Sequence, residues 1–423
     1  MSSNFQDSEP VESVDTLVIG AGLLGSSVAM HLAQLSGSGD RVSVLDFDLQ
    51  GSFSSSELNA GGVRATWVQP VNIQISKCSI DYFSTVAKDI GYRACGYLWL
   101  HPADRIEAAL GAAQRQNQLG WPVLSWDIAE LQKHFPFLDK TADIAGALFA
   151  PRDGLVNPNL LKQHYRQKAR SLGVRFNDWQ WVRDVQWGPD GIKISCNEFT
   201  SPLSETQKIG ILSGKTAEDL SILYRKKEWR ASRMVNCTGA WSAGLAKLVG
   251  YASTSKAIRR QISIFDCRDL DLTPYGMVVD TSGVYFHPEA QNGLAGYANA
   301  DEPEGVRFNY DGEKFFENRI WPALYERSTS FERLKHVTGW AGLYEVSPDE
   351  SAVIGEVRAA ASHLKGRVFE AHSFSGHGAM QSYGAGLGLA ELMVKDGYQT
   401  LDLGSLSGDR FEQNKWVHET LVI

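Results

Sequence analysis

The stretch Val14-Asp-Thr-Leu-Val-Ile-Gly20-Ala-Gly22-Leu-Leu-Gly25 decides the fold of this chain. An apolar run typical of a buried strand ends in a glycine-rich turn and opens a helix, which is the G-x-G-x-x-G pattern of dinucleotide-binding folds. Gly20 permits the tight turn, Gly22 lets a pyrophosphate approach the backbone, and Gly25 lets the helix pack closely on its strand. We expect the free N–H groups at the start of the helix to face that pyrophosphate.

An acidic residue stands where such folds place one. The run Val42-Ser-Val-Leu-Asp46 has the pattern of a second buried strand, and Asp46 follows Gly25 by about 20 residues, the usual spacing. A carboxylate at this position can accept hydrogen bonds from ribose hydroxyls. Strand, glycine turn, helix, strand and acid in this order predict a β-α-β nucleotide-binding unit over residues 14–46.

The composition excludes several functional classes. The 423 residues are 43% hydrophobic and 21% charged, with a net charge of −8, which indicates a globular protein of two or three domains and argues against a nucleic-acid partner. No apolar run approaches the roughly 20 residues that cross a bilayer, and no secretory signal is visible. The 5 cysteines include no C-x-x-C pair, which favours free thiols over disulfides or a metal site. We therefore expect a cytoplasmic enzyme without a metal, free or peripheral to a membrane, with residues 1–10 as a disordered tail.

The rest of the chain predicts an α/β protein with an additional antiparallel sheet. Apolar spacing favours helices over 71–90, 103–119, 158–172 and 382–394. Strand patterns occur at 96–100, 174–176, 181–187, 191–195, from 234, and at 262–265, 284–286 and 293–297. Residues 197–228 are polar and poorly periodic, and we interpret them as a surface insertion that is either a solvated loop or a docking segment.

Six motifs stand along the chain in a characteristic order. They are Val-Ile-Gly-Ala-Gly (18–22), Asn-Ala-Gly-Gly-Val-Arg (59–64), Gly-Leu-Val-Asn-Pro (154–158), Val-Asn-Cys-Thr-Gly-Ala-Trp-Ser (235–242), Gly-Leu-Tyr-Glu-Val-Ser-Pro-Asp (342–349) and Phe-Ser-Gly-His-Gly (374–378). Together they resemble the glycine/D-amino acid oxidase (DAO) superfamily of FAD flavoproteins over residues 14–411. Within it the chain is most similar to the branch of FAD-dependent oxidoreductase domain-containing protein 1, close to the sarcosine and dimethylglycine dehydrogenases.

This resemblance implies two domains. A Rossmann-like FAD-binding domain of the DAO/glutathione-reductase-2 type would be discontinuous, and an antiparallel sheet would roof the flavin and form the substrate domain. The FAD-binding domain would comprise residues 11–90, 151–250 and 336–411, with 197–228 as its insertion. The substrate domain would comprise residues 91–150 and 251–335.

The resemblance also implies which residues hold an extended FAD. The glycine turn would bind the pyrophosphate, Asp46 the ribose, and Gly376 to Gly378 the flavin edge, where helix N–H groups stabilise negative charge. The implied cofactor-binding set is Gly20, Gly22, Leu23, Leu24, Gly25, Asp46, Phe47, Asn59, Ala60, Gly61, Gly62, Val63, Arg64, Val182, Val185, Thr238, Gly239, Trp241, Gly342, Gly376, His377, Gly378, Ala379 and Met380.

The chain departs from its relatives at four positions. Gly342 stands where some sarcosine oxidases tether FAD through a cysteine, and Asn59 where dimethylglycine enzymes use a histidine, so we expect noncovalent FAD. Met380 replaces a lysine that pairs with the substrate carboxylate, and Ala295 replaces a lysine that speeds the reaction with oxygen. The missing lysines favour a dehydrogenase that passes electrons to a carrier protein or quinone.

Four residues are candidates for the catalytic site: Arg64, His377, Tyr344 and Tyr285. Arg64 would face the flavin or hold a carboxylate, with a structural ion pair as the alternative. His377 would line the cofactor, and Tyr344 would contact the substrate or simply pack. Tyr285 and His287 alternate on one predicted strand, so both side chains would point to one face. Their alternative is an ordinary place in the core.

These features predict FAD-dependent oxidation of the C–N bond of an amino acid or a secondary amine by hydride transfer to flavin N5. Arg259 and Arg260 would replace the missing lysine or lie at the surface as ordinary charges. An amine oxidase that produces hydrogen peroxide is the first alternative. A flavoprotein assembly or accessory factor for a respiratory or other redox complex is the second.

Overall fold

The computed structural model describes residues 11–188, 191–358 and 362–422, so the predicted tail at 1–10 lies outside the described residues. The strands, in chain order, are β1 (Glu12–Ile19), β2 (Val42–Leu45), β3 (Gly62–Val63), β4 (Tyr97–His101), β5 (Leu124–Trp126), β6 (Gly146–Ala150), β7 (Gly154–Leu155), β8 (Arg175–Asn177), β9 (Gln180–Gly188), β10 (Gly191–Phe199), β11 (Tyr224–Asn236), β12 (Lys256–Asp266), β13 (Met277–Val279), β14 (Val284–Glu289), β15 (Asn292–Tyr297), β16 (Lys335–Val346), β17 (Val353–Glu356) and β18 (Val368–His372). The helices are α1 (Leu23–Ser36), α2 (Pro70–Thr85), α3 (Ala87–Ile90), α4 (Ile106–Gln118), α5 (Ile128–His134), α6 (Pro158–Ser171), α7 (Glu205–Leu212), α8 (Ser242–Val249), α9 (Glu313–Phe315), α10 (Trp321–Tyr325) and α11 (Gly378–Lys395). None of the helices within the described ranges has both the length and the apolar character that a bilayer span requires.

A mostly parallel sheet carries the nucleotide-binding unit. Its strand order is β17-β18-β11-β1-β2-β8, and the meander of β9 and β10 continues the sheet along the first half of β11. β1 is parallel to both β11 and β2. Because α1 connects β1 to β2, the carboxyl ends of β11, β1 and β2 lie side by side at one edge of the sheet. The predicted β-α-β unit over 14–46 and the α/β fold class are confirmed.

The second sheet follows the order β16-β12-β15-β14-β13-β4-β6-β5 and is antiparallel except for the pair β13–β4. Successive side chains along its strands point alternately into two different cores, because neighbouring residues of a strand face opposite sides of the sheet. Tyr285 and Leu294 belong to the main core that the two sheets share, whereas Phe286 and Ala295 pack into a second core on the opposite face. The FAD-binding domain is predicted to resume at residue 336. In the structure, β16 begins at Lys335 and pairs with β12, so this strand belongs to the second sheet.

Two helix predictions differ from the structure. The predicted helix over 71–90 is divided into α2 and α3 at Val86, whose φ of −123° and ψ of 24° lie outside the helical region. The predicted helix over 382–394 begins already at Gly378. The low helix propensity of glycine favours a later start, but the buried packing of α11 against α1 and α2 decides the conformation.

The prediction of an irregular surface insertion at 197–228 is wrong in part. The segment completes β10, forms α7 and enters β11. α7 begins with a capping box, in which the Ser204 hydroxyl accepts from the Gln207 N–H and the Gln207 side chain accepts from the Ser204 N–H. The apolar side chains of the segment share a small core with Phe47, which we call the α7 core: Phe199, Leu203, Ile211, Leu212, Ala217 and Ile222. These residues are too irregularly spaced to produce a helical or strand period.

Candidate functional site

A cavity of about 490 Å³ opens at the carboxyl ends of the central parallel strands. We call it the outer cavity. Residues that end or directly follow the three strands line it: Ile19 and Gly20 after β1, Leu45 and Asp46 after β2, and Cys237 and Thr238 after β11. In open α/β sheets this edge is where ligands bind, because the loops there diverge around a crevice.

The glycine turn of the outer cavity is shaped by close backbone approaches. Gly20 has a φ of +96°, and a Cβ atom there would lie 2.3 Å from the carbonyl oxygen of Cys237. A Cβ atom on Gly25 would lie 1.8 Å from the carbonyl oxygen of Gly20, so Gly25 packs α1 against the turn and does not line the cavity. Gly22 is the N-cap of α1 and faces the cavity without a side chain. The N-terminus of α1 therefore faces the cavity, and within it the Leu23 N–H donates to the Ser56 hydroxyl at 3.0 Å.

Asp46 connects the end of β2 to the glycine turn. Its carboxylate accepts hydrogen bonds from the backbone N–H of Ala21 at 2.5 Å and from that of Asp48 at 2.8 Å. Burial raises the pKa of this carboxyl, and the two N–H groups lower it in part. Asp46 thus lines the outer cavity and also fixes the distance between its two walls.

Arg166, on α6, supports the same turn from behind, and no sequence motif pointed to it. Its Nη2 donates to the carbonyl oxygen of Ala21, and its Nη1 donates to that of Leu49 at 2.6 Å. The side chain is buried. The only sequence signal for this role is an arginine beside the apolar face of a strongly amphipathic helix.

A second cavity of about 100 Å³ adjoins the first, and we call it the inner cavity. The second sheet forms one wall, through residues of β4, β12, β14 and β16. The beginnings of α1 and α11 form the other. Leu23, Leu24, Ser55, Ser56 and Glu345 line both cavities. The two cavities therefore form one elongated site with two helix N-termini directed into it.

His377 lies at the N-terminus of α11, in the wall of the inner cavity. Its ring centre is 4.0 Å from that of Trp67, and neither ring nitrogen has a hydrogen-bond partner among the described residues. Burial, with the nearby charge of Arg64, lowers the pKa of His377 well below its usual range. The imidazole is therefore neutral and offers a donor and an acceptor to a ligand.

Arg64 places a buried positive charge at the inner cavity. Its guanidinium carbon lies 3.4 Å from the centre of the Trp67 ring, and its Nη1 donates to the carbonyl oxygen of Thr66 at 2.6 Å. Its Nη2 donates to the carbonyl oxygen of Leu421. Burial lowers the pKa of Arg64 to about 10, so it is charged at neutral pH. The acceptors that position it here are carbonyl oxygens, in contrast to the structural ion pair considered above.

Three tyrosines and an arginine complete the inner wall. Tyr97, Tyr285 and Tyr344 line the cavity, the first two buried and Tyr344 half-buried. Arg260 stands beside Tyr344, with its guanidinium carbon 5.2 Å from the ring centre, and its buried Nε has no partner within the described residues. Its Nη1 donates to the carbonyl oxygen of Arg259 at 3.1 Å.

Arg259 does not share this role, and its expected surface position is wrong. The side chain is buried and pairs with Glu302 at 2.7 Å and with Asp311 at 3.0 Å. Neighbouring residues of a strand point to opposite faces. For this reason Arg260 reaches the cavity while Arg259 pairs on the other face.

Glu345 is an acid at the junction of the two cavities. It is buried, and burial raises its pKa to about 7. A Cβ atom on Gly239 would lie 3.4 Å from the Glu345 carboxylate, so the acid also approaches the turn after β11. The family motif contains this residue, but nothing in the sequence marked it as part of the site.

The structure brings most of the predicted site residues into these two cavities. The outer cavity is lined by Gly20, Gly22, Leu23, Leu24, Asp46, Phe47, Val182, Thr238, Gly239 and Trp241. The inner cavity is lined by Leu23, Leu24, Asn59, Ala60, Gly62, Arg64, Tyr285, Gly342, Tyr344, Gly376, His377, Gly378, Ala379 and Met380.

Five predicted residues lie behind the walls, besides Arg259. Gly25 packs on the glycine turn as described, and Val63 is fully buried in the main core. A Cβ atom on Gly61 would lie 2.6 Å from the carbonyl oxygen of Val156. Val185 packs beneath the parallel sheet, whereas Val182 faces the outer cavity. His287 shares a strand face with Tyr285 but lies beyond the cavity, with its Nε2 2.9 Å from the carbonyl oxygen of Ala60.

The site includes several residues that the motifs did not contain. Tyr97 and Met277 meet in the inner cavity because β4 pairs with β13, a contact between distant parts of the chain. Ser55 and Ser56 belong to a serine-rich run that has only the pattern of a loop, and the Ser55 hydroxyl donates to the carbonyl oxygen of Leu343 at 2.6 Å. Leu212 reaches the outer cavity from α7.

The donor set fits an extended dinucleotide such as FAD. The outer cavity offers a glycine turn, a helix N-terminus and a carboxylate at the carboxyl ends of parallel strands. The inner cavity offers apolar and aromatic walls, a second helix N-terminus and a histidine whose two ring nitrogens have no partner in the described part of the chain. Gly376 has a φ of +89°, and a Cβ atom there would lie 2.4 Å from the Tyr344 ring. The backbone at this glycine therefore packs directly against Tyr344 in the wall of the inner cavity.

Comparisons with known proteins agree with this fit. Residues 15–392 match the model of the family DAO, described as FAD dependent oxidoreductase. FAD-dependent oxidoreductase domain-containing protein 1 of Xenopus laevis is 27% identical, with 98% of this chain and 85% of that protein covered. 4-Methylaminobutanoate oxidase (formaldehyde-forming) of Paenarthrobacter nicotinovorans is 24% identical over 94% of this chain and 46% of that protein. L-Proline dehydrogenase from P. horikoshii has a similar structure, with a TM-score of 0.81, 20% identity, and 96% of this chain and 100% of that chain covered.

Proposed function

The chain belongs to the FAD-dependent oxidoreductase family DAO, and we propose that it oxidises the C–N bond of an amino acid or a secondary amine that carries a carboxylate. The product is an imine, which water then hydrolyses. The proposal depends above all on one observation: Arg260 and Arg64 both line the inner cavity, and the buried Nε of Arg260 has no partner among the described residues. A substrate carboxylate would provide that partner.

Each wall of the inner cavity has a task in this reaction. Bound FAD would supply the acceptor for a hydride from the α-carbon of the neutral amine, and the iminium so formed would release its N–H proton to solvent water. Arg260 binds the substrate carboxylate and thereby orients the α-carbon. The three tyrosines of the wall, Tyr97, Tyr285 and Tyr344, exclude water from the reacting face. The N–H groups at the start of α11 would stabilise the negative charge of the reduced flavin.

The charge balance of the cavity supports an anionic substrate. Its ionisable lining residues are Arg64, Arg260, Glu345, His377 and three tyrosines. Burial raises the pKa of Glu345 to about 7, and burial keeps His377 neutral. The two guanidinium groups therefore outweigh the one carboxyl group, and a bound carboxylate would reduce the excess of positive charge.

We further propose that the enzyme is a dehydrogenase and that FAD is bound noncovalently. No lysine lines the inner cavity in the part of the chain that the structure describes. Ala295 packs into the core on the far face of the second sheet, so that position does not reach the site. Gly342 and Asn59, at the two positions where relatives attach FAD, have no group that forms such a bond.

The test is anaerobic reduction of the purified yellow protein. Sarcosine, dimethylglycine, glycine, proline and D-amino acids are added in turn, together with the corresponding amines that lack a carboxylate, and bleaching of the visible flavin band is followed. We expect at least one carboxylate-bearing amine to bleach the flavin and its decarboxylated analogue to be far slower. Recolouring in air should be slow, whereas an artificial electron acceptor should restore the colour quickly. Rapid recolouring in air would identify an oxidase, and a flavin that no amine reduces would refute amine oxidation.

A further inference from the structure

Helix α7 bridges the two turns that enclose the outer cavity. Near its centre, the Lys208 Nζ donates to the Asp48 carboxylate at 2.6 Å and to the Ser52 hydroxyl at 3.2 Å. At its last residue, the carbonyl oxygen of Leu212 accepts from the Trp241 indole N–H at 2.8 Å. Asp48 follows β2 and Trp241 follows β11, the two strands that flank β1. One short helix therefore joins the two sides of the crevice.

The Lys208–Asp48 ion pair is buried, and the Asp48 backbone connects it to Asp46 by a hydrogen bond. The Lys208 and Asp48 side chains are 10% and 6% exposed. Burial alone would raise the pKa of Asp48, but the hydrogen bonds from Lys208 and Ser52 hold it below its usual value. The backbone N–H of Asp48 donates to the Asp46 carboxylate at 2.8 Å. Lys208 thus stabilises the turn that presents Asp46 to the cavity.

The α7 core makes the same connection through apolar contacts. Phe47 packs against Trp181 with ring centres 5.3 Å apart, and both residues line the outer cavity. Leu212 extends from α7 into the lining itself, and Trp241 packs beside the same core. The apolar face of the insertion is therefore occupied by the cavity wall, which argues against this face as a docking surface for another protein.

We propose that residues 200–223 form a clamp that holds the outer cavity closed around bound FAD. The clamp limits the loss of a noncovalent cofactor, because it ties together the turns after β2 and β11, which border the cavity on two sides. Lys208 and Trp241 act as positioning residues in the two attachments. This proposal requires that the protein binds FAD but does not depend on the identity of the substrate. Its test is therefore independent of the test of amine oxidation.

The test is the affinity of the apoprotein for FAD, measured by fluorescence titration, together with the rate at which the holoprotein loses FAD on dilution. Lys208→Met leaves Asp48 buried without its partner, and we expect the Kd for FAD to rise about 10-fold or more. Trp241→Phe keeps an aromatic ring but removes the indole N–H, with its one neutral hydrogen bond, and part of the ring volume, and we expect a rise of about 3-fold. Lys215→Met is the matched control, because Lys215 belongs to the same segment and is exposed. Its Kd should equal that of the wild type.

A second measurement covers the case in which Lys208→Met does not fold. Trypsin cleavage of the wild-type protein after Lys215 should be slower with saturating FAD than in the apoprotein, because FAD binding keeps the clamp closed. A Kd within twofold of the wild type for every folded variant among Lys208→Met and Trp241→Phe would overturn the proposal. Cleavage rates that are equal with and without FAD would also overturn it.

Discussion

The guanidinium of Arg260 lies 5.2 Å from the centre of the Tyr344 ring, and both side chains line the inner cavity. They come from paired strands, β12 and β16. An aromatic face attracts a cation through its quadrupole without neutralising it. Tyr344 therefore positions a guanidinium that keeps its charge available for a ligand.

Replacement of Arg260 should weaken the binding of carboxylates selectively. In Arg260→Met we expect the KM for carboxylate-bearing amines to rise about 10- to 100-fold, because a charge-assisted hydrogen bond is lost. Amines without a carboxylate should be oxidised at an unchanged rate. Steady-state kinetics with an artificial electron acceptor measure both.

The matched control is Arg268→Met. Arg268 follows β12, and its side chain is 56% exposed in a surface pair with Asp266. Its kinetics should equal those of the wild type. If Arg260→Met and Arg268→Met gave the same KM for a carboxylate-bearing substrate, Arg260 would not bind the carboxylate.

Removal of the Asp46 carboxylate should reduce FAD affinity. Asp46→Ala takes away the acceptor of two backbone N–H groups and the acid that faces the outer cavity. We expect the Kd for FAD to rise at least about 10-fold. Asp184→Ala, an exposed acid on β9, serves as the control. Fluorescence titration of each apoprotein measures the effect, and an unchanged Kd in Asp46→Ala would exclude a role of Asp46 in binding FAD.

The buried Glu345 should make the stability of the apoprotein depend on pH. Its pKa is 4.5 as a reference value and about 7 in the folded protein, because burial disfavours the carboxylate. Between these pH values the folded state binds the additional proton, so this residue's contribution to stability falls as the pH rises. In Glu345→Gln this fall should be absent. Above pH 7 the free energy of unfolding of the variant should therefore gain on the order of 3 kcal/mol relative to the wild type, compared with the difference at pH 4.5.

Urea unfolding of the wild type and of Glu345→Gln at several pH values between 4.5 and 8 measures this difference. The free energies of unfolding of the two proteins should diverge as the pH rises from 4.5 to about 7 and keep a constant difference above it. Parallel curves would show that Glu345 titrates as in the unfolded chain.

Gly376 should tolerate no side chain. In Gly376→Ala the new methyl would lie 2.4 Å from the Tyr344 ring, at a φ of +89°. Gly366 has a φ of +70°, and a Cβ atom there would have no neighbour within 4 Å, so Gly366→Ala isolates the backbone strain alone. That strain costs about 1 kcal/mol. We expect Gly376→Ala to lower the Tm clearly more than Gly366→Ala does and to shift the flavin absorption band. Equal changes in Tm and unchanged spectra would show that Tyr344 moves freely away from the turn.

The sequence predicted those parts of the site that consist of contiguous residues. The glycine turn, Asp46 and the His377 segment all belong to local patterns in which one element directly determines the next. Tyr97 and Met277 could not be found in this way, because their contact arises only when β4 and β13 pair. The choice between Arg259 and Arg260 needed the face of β12 that the cavity occupies, which depends on the packing of the second sheet.

The structure of the segment 197–228, which contains α7, was not predicted, for a different physical reason. Its apolar residues are spread over a capping turn, a short helix and a loop, so no single period connects them. Lys208 is polar in the sequence and buried in the fold, and its partners Asp48 and Ser52 explain that position. Such a pair is visible only in three dimensions.

The shared wall of the two cavities has a consequence for the order in which the enzyme is assembled. Leu23, Leu24, Ser55, Ser56 and Glu345 border both spaces. A cofactor that extends from one space into the other passes all of these side chains and itself becomes a boundary of the substrate pocket. The substrate then meets a complete pocket only after the cofactor has arrived, so binding should be sequential, with cofactor first and amine second.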